Sequence, residues 1–337
     1  MNIKVRAIVF HSHGVPVEVA AIEEVEVPPP QAGQALVRTI AAPINPADVN
    51  LIEGKYPVRP VLPATPGAEG AGMVEEVGVG VDRVKPGDLV LLPRSYGTWR
   101  EAGLANAEEL IVVPRGIDPI QAAMLRINPA TAMRMLRDFV QLNEGDFILQ
   151  NAGNSAVGRA VIQIAHANGL RTISVVRRPA LIDELKADGA DFVFLDDEEA
   201  PPRIALATGG APIPLAFNAV GGESALRLAN AVTPGGTIVT YGAMSRQPLR
   251  IPNSLLIFKD LRWRGFWITP WSQRATRDER AAMFGELFAL SQRGLLRTPV
   301  ERIYPIDSFA EALTHAQRGE RAGKVVFAFD DSAARWP

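Results

Sequence analysis

The sequence contains no cysteine, which excludes disulfides, thiolate nucleophiles and cysteine-held zinc. It has four histidines, His11, His13, His166 and His315. No three of them form a plausible metal-ligand set, so no metal is expected. No apolar run approaches the roughly 20 residues that a membrane-spanning helix needs. Net charge is -2 with a pI near 6.2. Nucleic acid therefore meets no global attracting field, and any anion site must come from local basic residues. Residues 1–9 alternate charged and apolar side chains as a strand does. They resemble neither the apolar segment of a secretory signal nor an Arg- and Ser-rich transit peptide. A cytoplasmic location is the resulting expectation.

The 337 residues suggest two domains at about 100–200 residues each. A hydrophobic fraction of 47% is enough for a large core. The first part of the chain is β-rich and punctuated, with strand-like runs at 34–40, 71–77, 89–93 and 110–113 among many prolines and glycines. That pattern predicts a compact, barrel-like β domain. From about residue 120 the pattern changes: a helix is predicted over 121–139, then strands at 146–151, 172–176, 192–195, 214–218, 237–241 and 261–267. Helical stretches at 156–168, 180–188, 224–231 and 254–258 separate them. Strand–helix alternation of this kind predicts an α/β doubly wound parallel sheet. Helices at 279–293 and 309–318 and a strand at 324–329 follow, and residues 330–337 read as a loose tail. Six strands already complete the middle sheet, so the tail is expected to return to the first domain. The expected domains are 1–118 with 268–337, and 119–267.

The strongest local motif follows the apolar strand Phe147-Ile148-Leu149. It runs Gly153-Asn154-Ser155-Ala156-Val157-Gly158, a Gly-x-Ser-x-x-Gly variant of the dinucleotide fingerprint. Gly153 is expected to permit the tight turn, and Gly158 to let the following helix lie close to the sheet. A pyrophosphate could then approach backbone N–H groups at the positive helix end. About 20 residues on, where an acid would accept from an adenosine ribose, stand Arg177 and Arg178. Two guanidinium groups suit a 2′-phosphate, so NADPH is expected over NADH.

Further motifs are Ile44-Asn45-Pro46-Ala47-Asp48-Val49-Asn50 with Gly54-Lys55-Tyr56, Gly97-Thr98-Trp99-Arg100, and Asn128-Pro129-Ala130-Thr131-Ala132. Val239-Thr240-Tyr241-Gly242-Ala243-Met244 and Arg264-Gly265-Phe266-Trp267 come later. With the glycine–serine turn, they make nearly the whole chain resemble the zinc-free medium-chain dehydrogenases/reductases, most closely the mitochondrial-type 2-enoyl thioester reductases, with quinone reductases next. The resemblance implies a GroES-like catalytic domain beside a Rossmann domain. Where zinc-dependent relatives carry a Gly-His-Glu element, this chain has Gly67-Ala68-Glu69. Carbonyl activation must then come from hydrogen bonds.

The resemblance places a proton-donor tyrosine on Tyr56. It places cofactor contacts on Asn128, Asn154 to Val157, Arg177 and Arg178, Tyr241, Gly242, Ala243 and Met244, Phe266, Trp267 and Ile268, and Lys324. Trp267 is also a candidate for shaping the acyl slot or donating its indole N–H. Two departures from the family pattern stand out: Pro57 directly follows the tyrosine, and Ala68 replaces a polar residue. The expected activity is NADPH-dependent reduction of an enoyl thioester on coenzyme A or acyl carrier protein, and the family implies a homodimer. An NADPH:quinone reductase and an NADPH-binding redox sensor without turnover are the alternatives. Basic residues such as Arg59, Arg94 and Arg126 are candidates to meet the carrier's phosphates.

Overall fold

Strand alternation in the first 30 residues produces an antiparallel ribbon, seen in a computed structural model that describes residues 1–329. The tail 330–337 lies outside the described residues. Strands are numbered in chain order. β1 (Ile3–Phe10) pairs with β2 (Ala20–Val27), Ile3 opposite Val27. β3 (Gln34–Pro43) pairs antiparallel with both β4 (Gly70–Val77) and β6 (Ala102–Asn106). β5 (Leu89–Leu92) and β7 (Ile111–Val112) extend the sheet beyond β4.

The middle of the chain forms a second sheet, from β8 (Phe147–Asn151), β9 (Arg171–Val176), β10 (Phe192–Leu195), β11 (Leu215–Asn218), β12 (Thr237–Thr240) and β13 (Arg262–Gly265). All are parallel, in the order β10-β9-β8-β11-β12-β13. This is the expected doubly wound sheet. Its core takes Leu149, Ile173, Val175, Ala216 and Ile238 from the strands and Leu228 from a helix. Strand order reverses at β8, between β9 and β11, which is where such sheets take ligands.

β14 (Val300–Pro305) and β15 (Lys324–Ala328) then run parallel, and β15 pairs antiparallel with β3. The late strand therefore belongs to the first sheet. Phe327 reaches the core there and meets Trp99 edge to face at 5.3 Å, with Ile8, Phe10 and Ile52 around them. Burying each such side chain contributes roughly 1.5–3 kcal/mol.

The chain divides into two compact units, Met1–Ile127 with the segment from Thr298 onward, and Asn128–Arg297. The expected boundaries near 118 and 267 are thus corrected to 127 and 297. The second shift has a clear cause. The helix Arg277–Gln292, opened by a Thr276–Glu279 capping box, is tied to the helix Asn128–Asp138 by the Arg137–Glu286 ion pair. Gln163 then holds both backbone groups of Arg297, at 3.0 and 3.1 Å. One residue later, Gln121 holds both backbone groups of Thr298 in the same way, at 2.9 and 3.0 Å. Two side-chain amides so fix adjacent residues to different units.

The helix expected over 121–139 is also corrected. It forms two pieces, Pro119–Ala122 and Asn128–Asp138. Pro129 has no N–H to donate to Leu125 O, so it suits the first turn of a new helix rather than the interior of a continuous one. The freed N–H of Ile127 donates instead to Glu69 Oε2 at 2.8 Å.

Candidate active site

In a parallel sheet every strand delivers its C-terminal end to the same edge. The ends of β8, β9, β12 and β13 are followed by Gly153–Gly158, Arg177–Arg178, Tyr241–Met244 and Phe266–Ile268. Four separate sequence motifs are thus gathered at one edge of unit two. Asn128, buried at 9% exposure, opens a helix of the same unit. Lys324 belongs to unit one.

The turn after β8 is held from beneath by buried amides. Gln150 Nε2 donates to Gly158 O at 2.9 Å and to Ser174 Oγ at 3.1 Å. Asn151 Nδ2 donates to Asn218 Oδ1 and Ser224 Oγ, both at 2.9 Å, while its Oδ1 accepts from Ala219 N at 2.7 Å. Ser155 caps the helix Ala156–Ala167, its hydroxyl accepting from Gly158 N at 3.0 Å.

The glycines act differently from expectation at one point. The left-handed residue of the turn is Ala152, with φ 49°, not Gly153. Gly153 is needed for space: a Cβ there would lie 2.7 Å from Ser174 Cβ and 3.1 Å from Leu185 Cδ1. At Gly158 a Cβ would sit 2.6 Å from Gly153 O, so the close approach of helix to turn does depend on this glycine.

Three observations fit a phosphorylated dinucleotide here. First, the turn lies against a capped helix N-terminus suited to an anion, and it packs there only because Gly153 and Gly158 carry no side chain. Second, neither guanidinium of Arg177 nor Arg178 makes a hydrogen bond or ion pair among the described residues, and Arg177 is exposed. Third, the Tyr241 hydroxyl is buried beside Ser155 and reaches no partner at full hydrogen-bond geometry. Burial pushes that hydroxyl up to about 12, with Ser155 opposing. A buried hydroxyl kept neutral and underused is ready to serve a ligand.

Trp267 is 38% exposed and precedes the helix Ile268–Arg274, so it is not a core tryptophan. With Phe266, Thr240, Phe139, Arg264 and Trp271 it lines a cavity of about 590 Å³. Trp263 takes a more structural place, partly buried against the sheet's core, with its indole donating to Thr240 Oγ1 at 2.8 Å.

Unit one holds a buried polar cluster. The helix Pro46–Ile52 begins with a capping box in which Asp48 Oδ2 accepts from Asn45 N at 2.9 Å. Asn45 Nδ2 donates to Glu69 Oε1 at 2.9 Å, and the Lys324 ammonium donates to Asn45 Oδ1. Burial pushes Asp48 up to about 6 and Glu69 up to about 7, against the pull of Lys324 on both. Burial lowers Lys324, and the two carboxylates resist that shift. The cation of this cluster is therefore a lysine, beside the Gly67-Ala68-Glu69 turn where zinc-dependent enzymes place a histidine. The histidines lie elsewhere, His11 on Glu23, His13 on Ile52 O and His315 on Glu301 and Tyr304.

Tyr56 follows the same helix, its N–H bonded to Asn50 O at 3.1 Å. The Arg94 guanidinium lies 5.0 Å from the ring centroid, with Nη2 3.5 Å from the phenol oxygen. Of the three arginines suggested for carrier phosphates, Arg94 is thus against Tyr56, and Arg126 donates to Leu91 O and Glu109 O. Arg59 is exposed. The Asn45–Asp48–Glu69–Lys324 cluster was not visible as a unit in the sequence; the Asn-Pro-x-Asp and Gly-x-Glu motifs gave only its halves.

Residues 31–115 match the alcohol dehydrogenase GroES-like domain, and 156–283 the zinc-binding dehydrogenase domain. Among solved structures, a Bacillus thuringiensis protein assigned as an NADPH:quinone reductase is 29% identical with a TM-score of 0.91, covering 97% of this chain and 100% of its own. The Etr1p complex with NADP and crotonyl-CoA is 29% identical, TM-score 0.87, with the same coverage. The fold and site thus define a medium-chain dehydrogenase/reductase. The mitochondrial enoyl-[acyl-carrier-protein] reductase of Mus musculus is 44% identical over 316 residues, 92% of this chain and 85% of its own length. This chain belongs to the zinc-free enoyl thioester reductase family of that class. The expected cytoplasmic location does not stand, because these relatives are named as mitochondrial enzymes. The composition of the first residues does not decide a compartment.

Proposed function

We infer that this chain reduces the 2,3-double bond of trans-2-enoyl thioesters with NADPH, a reaction of fatty acid synthesis. The observation that carries this reading is the 44% identity to an enoyl-[acyl-carrier-protein] reductase across 92% of the chain. The strand-end site supports it, since Arg177 and Arg178 stand where a 2′-phosphate is read.

When bound, NADPH supplies a hydride to the β-carbon of the conjugated alkene. This chain's residues serve the charge that then develops on the thioester oxygen. The Tyr56 hydroxyl is the proposed donor to that oxygen, and the same tyrosine or a water protonates the α-carbon. One aimed hydrogen bond of this kind is commonly worth about 3 kcal/mol, or on the order of a hundredfold in rate. Ser155, Tyr241 to Met244 and the helix N-terminus are the proposed holders of the nucleotide, and Trp267 the proposed wall of the acyl slot. The thioester is carried on coenzyme A or acyl carrier protein. A homodimer is the proposed assembly.

The test is absorbance of NADPH, and separately NADH, with crotonyl-CoA or a simple quinone. NADPH oxidation with crotonyl-CoA is expected, with Tyr56→Phe slowing it at least about tenfold while NADPH affinity holds. Turnover of the quinone alone would favour a quinone reductase, and turnover of neither acceptor a redox sensor.

A further inference from the structure

The backbone at Tyr56 is tightly held, but a phenol must also be aimed. Lys55 N and Tyr56 N both bond to Asn50 O, at 2.8 and 3.1 Å. These bonds fix the Cα, while the direction of the ring is set by contacts of the side chain itself. The ring packs partly against the core cluster of Ile8, Phe10 and Ile52. On its face lies Arg94, 5.0 Å from the centroid, with Nη2 3.5 Å from the oxygen. We propose that Arg94 is a positioning residue for Tyr56, holding the phenol in its donor pose and stabilising the phenolate left when the proton departs.

Three features make Arg94 suited to this. It opens a single helical turn, Arg94–Tyr96, anchored by Tyr96, which is 3% exposed and donates to Val37 O at 2.7 Å. The guanidinium is therefore presented from a rigid support. No carboxylate forms an ion pair with it among the described residues, and Nη1 is buried without a hydrogen-bond partner, so its charge is not spent on a neighbour. Its field still reaches Asp48, whose carboxyl it favours in the ionised form. A cation over an aromatic face is attracted to the ring, and more strongly once the ring oxygen is negative. In the step served, the proton passes from Tyr56 Oη to the α-carbon, the electron pair of the O–H bond stays on oxygen, and solvent later restores the proton.

This rests on Tyr56 being the donor, and the test separates the two ideas. The full chain is assayed with NADPH and crotonyl-CoA as wild type, R94M, R94K, Y56F and the double variant Y56F/R94M. R94M should lower kcat about three- to thirtyfold, a cation–π contact expressed as a rate, with KM and NADPH affinity nearly unchanged. R94K should recover part of the loss. The double variant should be no slower than Y56F alone, because a clamp without its phenol has nothing to hold. Should R94M not fold, R94K carries the same comparison against Y56F. A wild-type kcat in R94M, a rise in KM alone, or losses that multiply in the double variant would each overturn the proposal. If Y56F itself keeps full activity, the donor assignment is what fails.

Discussion

At the scale of single residues, burial sets the chemistry of the unit-one cluster. Asp48 is fully buried, and its carboxyl is pushed up to about 6, above the ordinary range. A carboxyl raised on folding favours its protonated form, so its contribution to stability is fully present below about pH 4. That contribution is lost as pH rises through about 6. Asp48→Asn keeps an oxygen to accept from Asn45 N and removes the ionisation. The variant should gain stability over wild type above pH 7 by up to about 3 kcal/mol, with the gap closing towards pH 4. Urea denaturation at pH 5 and pH 8 checks this; equal midpoint differences at both pH values would show that Asp48 is not titrating in this window.

At the scale of elements, the turn after β8 depends on the space at Gly158. An added Cβ would meet two backbone carbonyl oxygens, Gly153 O at 2.6 Å and Ala152 O at 2.7 Å, and backbone cannot move aside cheaply. Gly158→Ala should therefore weaken NADPH binding at least about tenfold by displacing the helix from the turn. Titration of NADPH fluorescence measures it, and an unchanged affinity would mean that the cradle tolerates the shift. The periodic elements were legible in the sequence: all six strands of the parallel sheet fall where β-branched and aromatic runs predict them, and the four inner ones, β9, β8, β11 and β12, are largely buried on both faces. Elements opening on proline were not. The helix Ala200–Ala207 carries Pro201 and Pro202 in its first turn, and Pro46 opens Pro46–Ile52. Proline reads as a breaker yet is well suited to a first helical turn. Within the candidate site, residues after each strand were legible from turn chemistry. Gln150, Asn151, Asn218 and Ser224 were not, because a buried amide declares its partner only in three dimensions. Lys324 and Asn45 are 279 positions apart, and no local pattern joins them.

At the scale of the whole molecule, the six-stranded sheet ends at β13, whose outer edge has no strand paired to it among the described residues. Just before β13 in sequence, Leu256, Ile257 and Phe258 are 42%, 68% and 85% exposed. An open strand edge and nearby apolar side chains are a liability unless covered, and a second copy pairing about a twofold axis covers both. Light scattering should give twice the 36.3 kDa chain mass. Phe258→Glu should shift the population towards the single-chain mass, and a wild type that is already single-chain at micromolar concentration counts against the dimer.

The position of β15, inserted between β14 and β3, has a consequence for how the protein is made. Asn128–Arg297 is one uninterrupted stretch, able to mature as soon as it leaves the ribosome. The N-terminal portion, although synthesised first, must wait with the Ala41–Pro43 end of β3 unpaired on one side until Lys324–Ala328 emerges. The order of synthesis and the order of completion are reversed in this chain, and the last gap in the first-made sheet closes only once β15 has been made.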